Sequence, residues 1–331
     1  MTPCSPASTE PRPAYPAALL PGVPLIESPL YVASREMLGF DAETLAIADA
    51  LHTWGYAVID FPDPEFAARA PRIMASLAPR LGLDPADPRA VGGCEGRIQD
   101  AWRFDADVRA IAANASLLAL LEKLYGRRAI PFQTLNFPVG TEQALHSDSV
   151  HFSSQPERFM CGVWVALEDI DAGSGPLSYC PGSHRWPVLS NAHLGRKGWG
   201  SSLASAQAPF EAPWKAMIAA NGEPIEQFFP RRGQALIWTA NLLHGGAPRL
   251  DPARSRWSQV THYYFADCLY YTPAFSDEPL GRLDLRRIIN IATGAVEPNS
   301  LLGEAAPFVV AAKRAPPRWW KRLTRGLRRK A

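Results

Sequence analysis

The stretch LHSDSVH at residues 145–151 places His146 and Asp148 two positions apart, and NLLHGG at 241–246 adds a second histidine, His244. On a β-strand, residues i and i+2 project from the same face, so this pair can hold one ion from one side. Two imidazoles and one carboxylate leave part of an octahedral sphere open, which favours Fe(II) over zinc. We therefore predict a metal site on β-strands, made of His146, Asp148 and His244.

A second motif, ARSRWSQVTHYYF at residues 253–265, has the alternation of a strand and puts Arg256 and Ser258 on one face. A guanidinium group matches a carboxylate through two parallel charge-assisted hydrogen bonds. We predict that Arg256, with Ser258 beside it, binds the far carboxylate of a dicarboxylate, namely 2-oxoglutarate. Arg254 is the competing clamp, and pairing of Arg256 with a nearby aspartate is the alternative to ligand binding.

Further candidates for the pocket lie on two more predicted strands. Gln133 and Asn136 belong to a strand that begins near Ile130, and each is a candidate for contacting co-substrate or substrate. In CGVWVAL, Trp164 is a candidate wall of the pocket, with an ordinary core position as the alternative. His262 shares the face of the predicted arginine clamp and is expected near the co-substrate.

These motifs, taken in order, resemble the phytanoyl-CoA dioxygenase family over about residues 128–268. The matching stretches are HSD at 146–148, CGVWVALEDIDAGSGPLSYCPGSH at 161–184, GQALIWTANLLHGG at 233–246 and RSRWS at 254–258. The resemblance implies a mainly β fold with flanking helices, built on a double-stranded β-helix core of the jelly-roll or cupin-like kind. It also implies mononuclear Fe(II), 2-oxoglutarate as co-substrate, consumption of O2, and release of succinate and carbon dioxide.

Carried over residue by residue, the resemblance places the metal ligands at His146, Asp148 and His244 and the co-substrate arginine at Arg256. Some relatives have a hydroxyl two residues after the distal histidine, where this chain has Gly246, and Ser258 is expected to compensate. Related halogenases replace the metal-binding acid with a small residue, so the aspartate argues against halogenation.

The resemblance predicts an iron- and 2-oxoglutarate-dependent dioxygenase that hydroxylates an aliphatic C–H bond. Its substrate is expected to be a small molecule, a lipid-linked compound or a glycan. Desaturation, epoxidation or cyclisation on the same iron site is one alternative. A non-enzymatic, cupin-like binding protein is the other.

The length of 331 residues and a hydrophobic content of 47% suit one catalytic domain with decorations. Apolar spacing predicts helices at 40–55, near 65–82 and at 105–125, outside the sheet. The predicted divisions are an extended N-terminal arm at 1–34, the catalytic domain at 35–275 with a lid-like insertion at about 186–224, and a C-terminal extension at 276–331.

The net charge of +2 conceals a basic C-terminal tail. Residues 313–331 hold nine of the 34 basic residues and no acid, which leaves 25 basic against 32 acidic residues elsewhere. Trp319, Leu323 and Leu327 form a short apolar stripe there, which predicts peripheral contact with an anionic inner membrane surface; a solvated tail is the alternative. The acidic remainder argues against nucleic-acid binding.

Five scattered cysteines argue against a disulfide framework, and a ferrous enzyme suits a reducing compartment, so the cytoplasm is the expected location. The sequence shows neither a signal peptide nor an apolar run of membrane-spanning length. No feature of it sets an oligomeric state.

Overall fold

The computed structural model describes residues 19–201 and 206–306. The helices are α1 (Tyr31–Ser34), α2 (Ala42–Trp54), α3 (Phe66–Leu77), α4 (Ala106–Ala112), α5 (Ala115–Tyr125) and α6 (Ala208–Asn221). The strands are β1 (Tyr56–Asp60), β2 (Ile98–Gln99), β3 (Ala129–Phe137), β4 (Ser153–Gln155), β5 (Met160–Ala166), β6 (Leu177–Tyr179), β7 (Glu226–Phe228), β8 (Gln234–Thr239), β9 (His244–Gly246), β10 (Ser258–Phe265), β11 (Leu269–Tyr271), β12 (Ile288–Ile289), β13 (Val296–Glu297), β14 (Ser300–Leu301) and β15 (Glu304–Ala305).

Two antiparallel sheets form the core. The large sheet has the order β1-β8-β5-β10-β3-β2, and the small sheet has the order β7-β6-β9. Apolar side chains from both sheets share one buried cluster, with Trp164 and Leu236 from the large sheet against Leu177 and Phe228 from the small one. The sheets therefore pack face to face, as the mainly β prediction requires.

Helices cover the other face of the large sheet. Leu51, Ile73 and Leu121, from α2, α3 and α5, lie in one buried cluster with Val163 and Ile237 of the sheet. Since both faces of the sheet are covered, every residue of β5 and β10 is buried. The sequence of β5 is apolar throughout, whereas β10 also contains Ser258, Gln259, Thr261 and His262.

The three predicted helical segments are present, with one break. Asp41 caps α2 by accepting a hydrogen bond from the backbone N–H of Thr44. The segment predicted at 105–125 is two helices, α4 and α5, because Asn114 caps a new helix by accepting from the N–H of Leu117. The break lets two short helices pack against the sheet at separate positions.

The predicted domain divisions meet the described residues only in part. Within the N-terminal arm, residues 25–27 and 31–34 are helical and Ile26 is fully buried, so this portion is packed and not extended. Residues 202–205 of the insertion and the whole basic tail lie outside the described residues. The division into domains stays a prediction.

Candidate metal centre

The backbone of His146 pairs directly with that of His244. Each residue donates its N–H to the carbonyl of the other at 2.9 Å, which adds one isolated bridge to the edge of the small sheet at β9. The predicted strand arrangement of His146 and Asp148 is wrong, however, because Asp148 begins a 3-10 turn at residues 148–150. The hydroxyl of Ser147 accepts from the N–H of Ser149 and starts that turn. The turn, and not strand parity, brings the carboxylate next to the histidines.

The three predicted ligands lie together and are buried. The Nε2 atom of His146 is 3.9 Å from Oδ1 of Asp148, and Nε2 of His244 is 3.7 Å from Oδ2. One donor atom from each of the three residues falls within 4.8 Å of the others. This spacing allows a single cation to contact all three side chains.

Both imidazole rings are oriented by backbone carbonyls. Nδ1 of His146 lies 3.0 Å from the carbonyl oxygen of Ala144, and Nδ1 of His244 lies 3.0 Å from that of Leu242. Because a carbonyl only accepts, the proton sits on Nδ1 and the lone pair of Nε2 points toward the carboxylate. Each ring is therefore preset as a metal ligand.

The charge states also suit a cation. Burial, assisted by the nearby His244, lowers the pKa of His146 to about 3, so this ring is neutral at neutral pH. Burial alone would raise the pKa of Asp148, but the adjacent His244 and His262 outweigh it and the pKa is lowered. A neutral imidazole next to a carboxylate is what a divalent metal requires.

A cavity of about 460 Å³ opens onto these three residues. The predicted residues Arg256, Gln133 and Trp164 line it, whereas Ser258 and Asn136 do not. The cavity is also lined by Arg97, Gln99, Leu135, Phe137, Thr141, Gln143, His151, Phe152, Leu177, Ala206, Gln207, Trp238, Gly245, Val260 and His262.

Ser258 and Asn136 are displaced from the cavity for different reasons. Ser258 shares a strand face with Val260 and His262 but is fully buried at the strand start, where its hydroxyl has no hydrogen-bond partner among the described residues. Asn136 lies on the opposite face of β3 from Gln133, and its amide donates to the side chain of Gln259. Contact of Ser258 with a co-substrate stays a prediction.

Arg256 is buried in this cavity without a counterion. Its hydrogen bond is a long one, from Nη2 to the carbonyl of Val139 at 3.5 Å, and its Nε has no partner. Over the described residues, no carboxylate lies within ion-pair distance of it. Burial, followed by the proximity of Arg249, lowers the pKa of Arg256 to about 10, which still leaves the group charged at neutral pH. A buried, unpaired guanidinium is costly unless an anion joins it.

The competing clamp, Arg254, is used elsewhere. It forms ion pairs with Asp171 and Asp251 at the surface, and about half of its side chain is exposed. Pairing with a nearby aspartate, the alternative to ligand binding, is therefore found at Arg254 and not at Arg256.

Some residues at the site escaped the sequence prediction. The indole N–H of Trp238 donates to Oδ2 of Asp148 at 2.9 Å, although Trp238 has the pattern of any apolar strand residue. His262, predicted near the co-substrate clamp, lines the same cavity as Arg256, and its further contact with the same oxygen, at 3.4 Å from Nε2, was not predicted. Gln143 links two parts of the cavity lining, since its amide donates to Gln207 just before α6.

Glu168 contacts the residues on both sides of Arg256, through the backbone of Trp257 and the side chain of Ser255. One carboxylate oxygen accepts from the N–H of Trp257 at 2.7 Å, and the other accepts from the hydroxyl of Ser255 at 2.9 Å. Because Glu168 is buried, its carboxylate fixes the turn that leads into β10.

We predict that Glu168→Ala lowers the free energy of unfolding by about 1–3 kcal/mol, because it leaves a buried N–H unpaired. It should also weaken 2-oxoglutarate binding, since Arg256 loses its rigid support. Chemical denaturation and ligand titration measure the two effects. Asp169→Ala is the matched control, because Asp169 accepts from the N–H of Arg232 and leaves the turn before β10 alone. Equal losses of ligand binding in both variants would contradict this role.

A model of the family described as Phytanoyl-CoA dioxygenase (PhyH) matches residues 36–256 of the chain. The solved structures with a similar fold include SnoK, a non-heme alpha ketoglutarate dependent carbocyclase from nogalamycin biosynthesis, at 17% identity and a TM-score of 0.54. That likeness covers 76% of this chain and 94% of SnoK. EctD from S. alaskensis, solved with 2-oxoglutarate and 5-hydroxyectoine, has 21% identity and a TM-score of 0.53, covering 81% of this chain and 88% of EctD.

The epimerase SnoN, solved in complex with Fe3+, alpha ketoglutarate and nogalamycin RO, is 21% identical with a TM-score of 0.52. The likeness covers 80% of this chain and 95% of SnoN. At these identities the solved structures are evidence for the fold alone. They confirm the predicted double-stranded β-helix.

Proposed function

This chain belongs to the phytanoyl-CoA dioxygenase family of Fe(II)- and 2-oxoglutarate-dependent oxygenases, and on that premise we propose that it hydroxylates an aliphatic C–H bond of a small polar molecule. One observation carries the proposal. The buried cation Arg256, which lacks a counterion, lines the same cavity as the triad of His146, Asp148 and His244. A dicarboxylate that chelates a metal at one end and meets a guanidinium at the other suits both features.

The residues present fit the iron and the co-substrate. Two imidazoles and one carboxylate, with no cysteine in the set, are typical of an Fe(II) site that keeps open positions. When bound, iron and 2-oxoglutarate supply the oxidising power: O2 is consumed, 2-oxoglutarate yields succinate and carbon dioxide, and one oxygen atom enters the substrate. The protein supplies position, dryness and charge.

In this proposal each wall of the cavity has its own task. His146, Asp148 and His244 hold the metal, and Arg256 receives the far carboxylate of 2-oxoglutarate. Trp164 contributes an apolar wall near the guanidinium, which lies 5.6 Å from the centre of its ring. Burial of these groups keeps water away from the reacting atoms.

The rest of the cavity favours a polar substrate. Besides Arg256, its lining includes four carboxamides, a hydroxyl and a second guanidinium, from Gln99, Gln133, Gln143, Gln207, Thr141 and Arg97. Groups of this kind bind hydroxyl, amide or carboxylate groups of a ligand, whereas a long acyl chain would leave them unpaired. A polar small molecule or a sugar therefore fits better than a fatty-acyl compound.

The proposal also includes peripheral membrane contact, and the basic tail is the only feature that supports it. The tail lies outside the described residues, so a lipid-linked substrate is supported by the sequence pattern of residues 313–331. Within the described ranges, no helix has the length and apolar character needed to cross a bilayer.

The proposal is tested with purified protein reconstituted under anaerobic conditions. We expect one equivalent of Fe(II) and one of 2-oxoglutarate to bind, followed by slow succinate release on admission of O2. Pooled polar metabolites and glycolipids should then include compounds that accelerate succinate release. Product mass separates a gain of one oxygen from the loss of two hydrogens expected for desaturation or cyclisation. Metal binding without any 2-oxoglutarate binding would favour the cupin-like binding protein instead.

A further inference from the structure

Two buried polar side chains next to the metal triad have no part in the chemistry described above. Trp238 on β8 donates its indole N–H to Oδ2 of Asp148 at 2.9 Å, and Nε2 of His262 on β10 lies 3.4 Å from the same oxygen. The other carboxylate oxygen, Oδ1, accepts no hydrogen bond from any residue that the structure describes. The two oxygens of Asp148 are therefore in different environments.

The sheet register explains how two distant residues reach one carboxylate. Gly162 on β5 pairs with Trp238 on one side and with His262 on the other, so the three residues form a row across the large sheet. A Cβ atom at residue 162 would lie 2.2 Å from the indole carbons of Trp238. Glycine at this position gives the indole room to lie over β5 and still reach Asp148.

The chemistry of these donors separates the roles of the two oxygens. An indole N–H only donates, so Trp238 cannot compete with Asp148 for the metal. An oxygen that already accepts a hydrogen bond, as Oδ2 does from Trp238, is held in place and is a poorer second ligand, which leaves the free oxygen to bind the cation. A carboxylate that binds through one oxygen occupies one coordination position and keeps the others open for co-substrate and O2.

We infer, resting on the proposed function, that Trp238 and His262 are positioning residues that hold Oδ2 of Asp148 and commit Oδ1 to iron. Gly162 is the third member of this unit, because it makes space for the indole. The unit acts through Asp148 and does not touch the substrate in this role.

The first test is Trp238→Phe, which keeps an aromatic ring and removes the donor. Anaerobic titration with Fe(II) should show an affinity about 10–100-fold weaker, the usual cost of losing a partner of a metal ligand. The visible absorption of the complex with 2-oxoglutarate should also shift. Trp102→Phe is the matched control, because its indole also donates to an aspartate, Asp100, at 3.2 Å, and neither residue lines the cavity. The control should keep the affinity and the absorption of the unchanged protein.

A pair of variants at His262 makes the test independent of the folding of Trp238→Phe. His262→Leu removes the imidazole beside the carboxylate, whereas His262→Gln keeps an N–H group that can reach it. We expect the leucine variant to bind Fe(II) more weakly and the glutamine variant to recover much of the affinity. Loss of packing alone would not produce such a rescue.

The outcomes separate this inference from the proposed function. If folded Trp238→Phe and His262→Leu bind Fe(II) as tightly as the unchanged protein, with the same absorption, the positioning role is overturned and the oxygenase proposal stands. If the unchanged protein binds neither Fe(II) nor 2-oxoglutarate, the oxygenase proposal fails, and this inference fails with it.

Discussion

His244→Ala will abolish succinate formation and reduce Fe(II) affinity by more than about 100-fold, because even a change outside the ligand set costs about 10–100-fold. The variant removes one of three buried donors. The carbonyl of Leu242 already orients the His244 ring so that its lone pair points at the site. The backbone bridge to His146 is kept, since it uses main-chain atoms alone. Calorimetric titration with Fe(II), followed by a succinate assay, measures both effects.

The control for this variant is His193→Ala. His193 is exposed in the loop before α6 and contacts Ser190, so its loss removes an imidazole far from the donor set. It should leave both Fe(II) affinity and succinate formation intact. If His244→Ala kept normal turnover, His244 would not be a metal ligand.

Arg256→Met will have opposite effects on ligand binding and on stability. Binding of 2-oxoglutarate should weaken by roughly 2–5 kcal/mol, the usual cost of truncating one member of a buried charge pair. Without ligand, however, the variant should be more stable than the unchanged protein, because methionine of similar volume replaces a buried charge that has no counterion. We expect a melting temperature a few degrees higher.

Anaerobic titration with 2-oxoglutarate and thermal unfolding without it measure these two effects. Arg254→Met serves as the comparison, because it removes a half-exposed guanidinium whose partners are Asp171 and Asp251. It should change neither quantity greatly. Weakened 2-oxoglutarate binding in Arg254→Met, with normal binding in Arg256→Met, would show that Arg254 and not Arg256 binds the far carboxylate.

Much of the site could be predicted from the sequence, because its ligands have distinctive residue types and spacing. The spacing of His146 and Asp148, with His244 further along the chain, predicts the metal set, and the strand face shared with Ser258 predicts Arg256. The mechanism of their convergence could not be found in this way. It depends on a bridge between two remote backbones and on a 3-10 turn, neither of which leaves a periodic pattern.

Cross-strand register was equally hidden. Trp238 and Gly162 belong to apolar strand sequences, and only the alignment of β8, β5 and β10 shows that one makes room for the other. Ser258 shows the converse: its parity was right, but its depth at the strand start keeps it from the cavity. Parity along one strand is a local property, whereas register and depth are set by the packing of the whole sheet.

The absent side chain at residue 162 couples two sequence positions that lie far apart. A larger residue there can be accommodated only if residue 238 becomes smaller, and that exchange would also take away a hydrogen bond from Asp148, the proposed iron ligand. The two positions should therefore change together or stay as they are when this protein is diversified. Mutant libraries that alter the metal's electronic environment are best built as paired substitutions at 162 and 238.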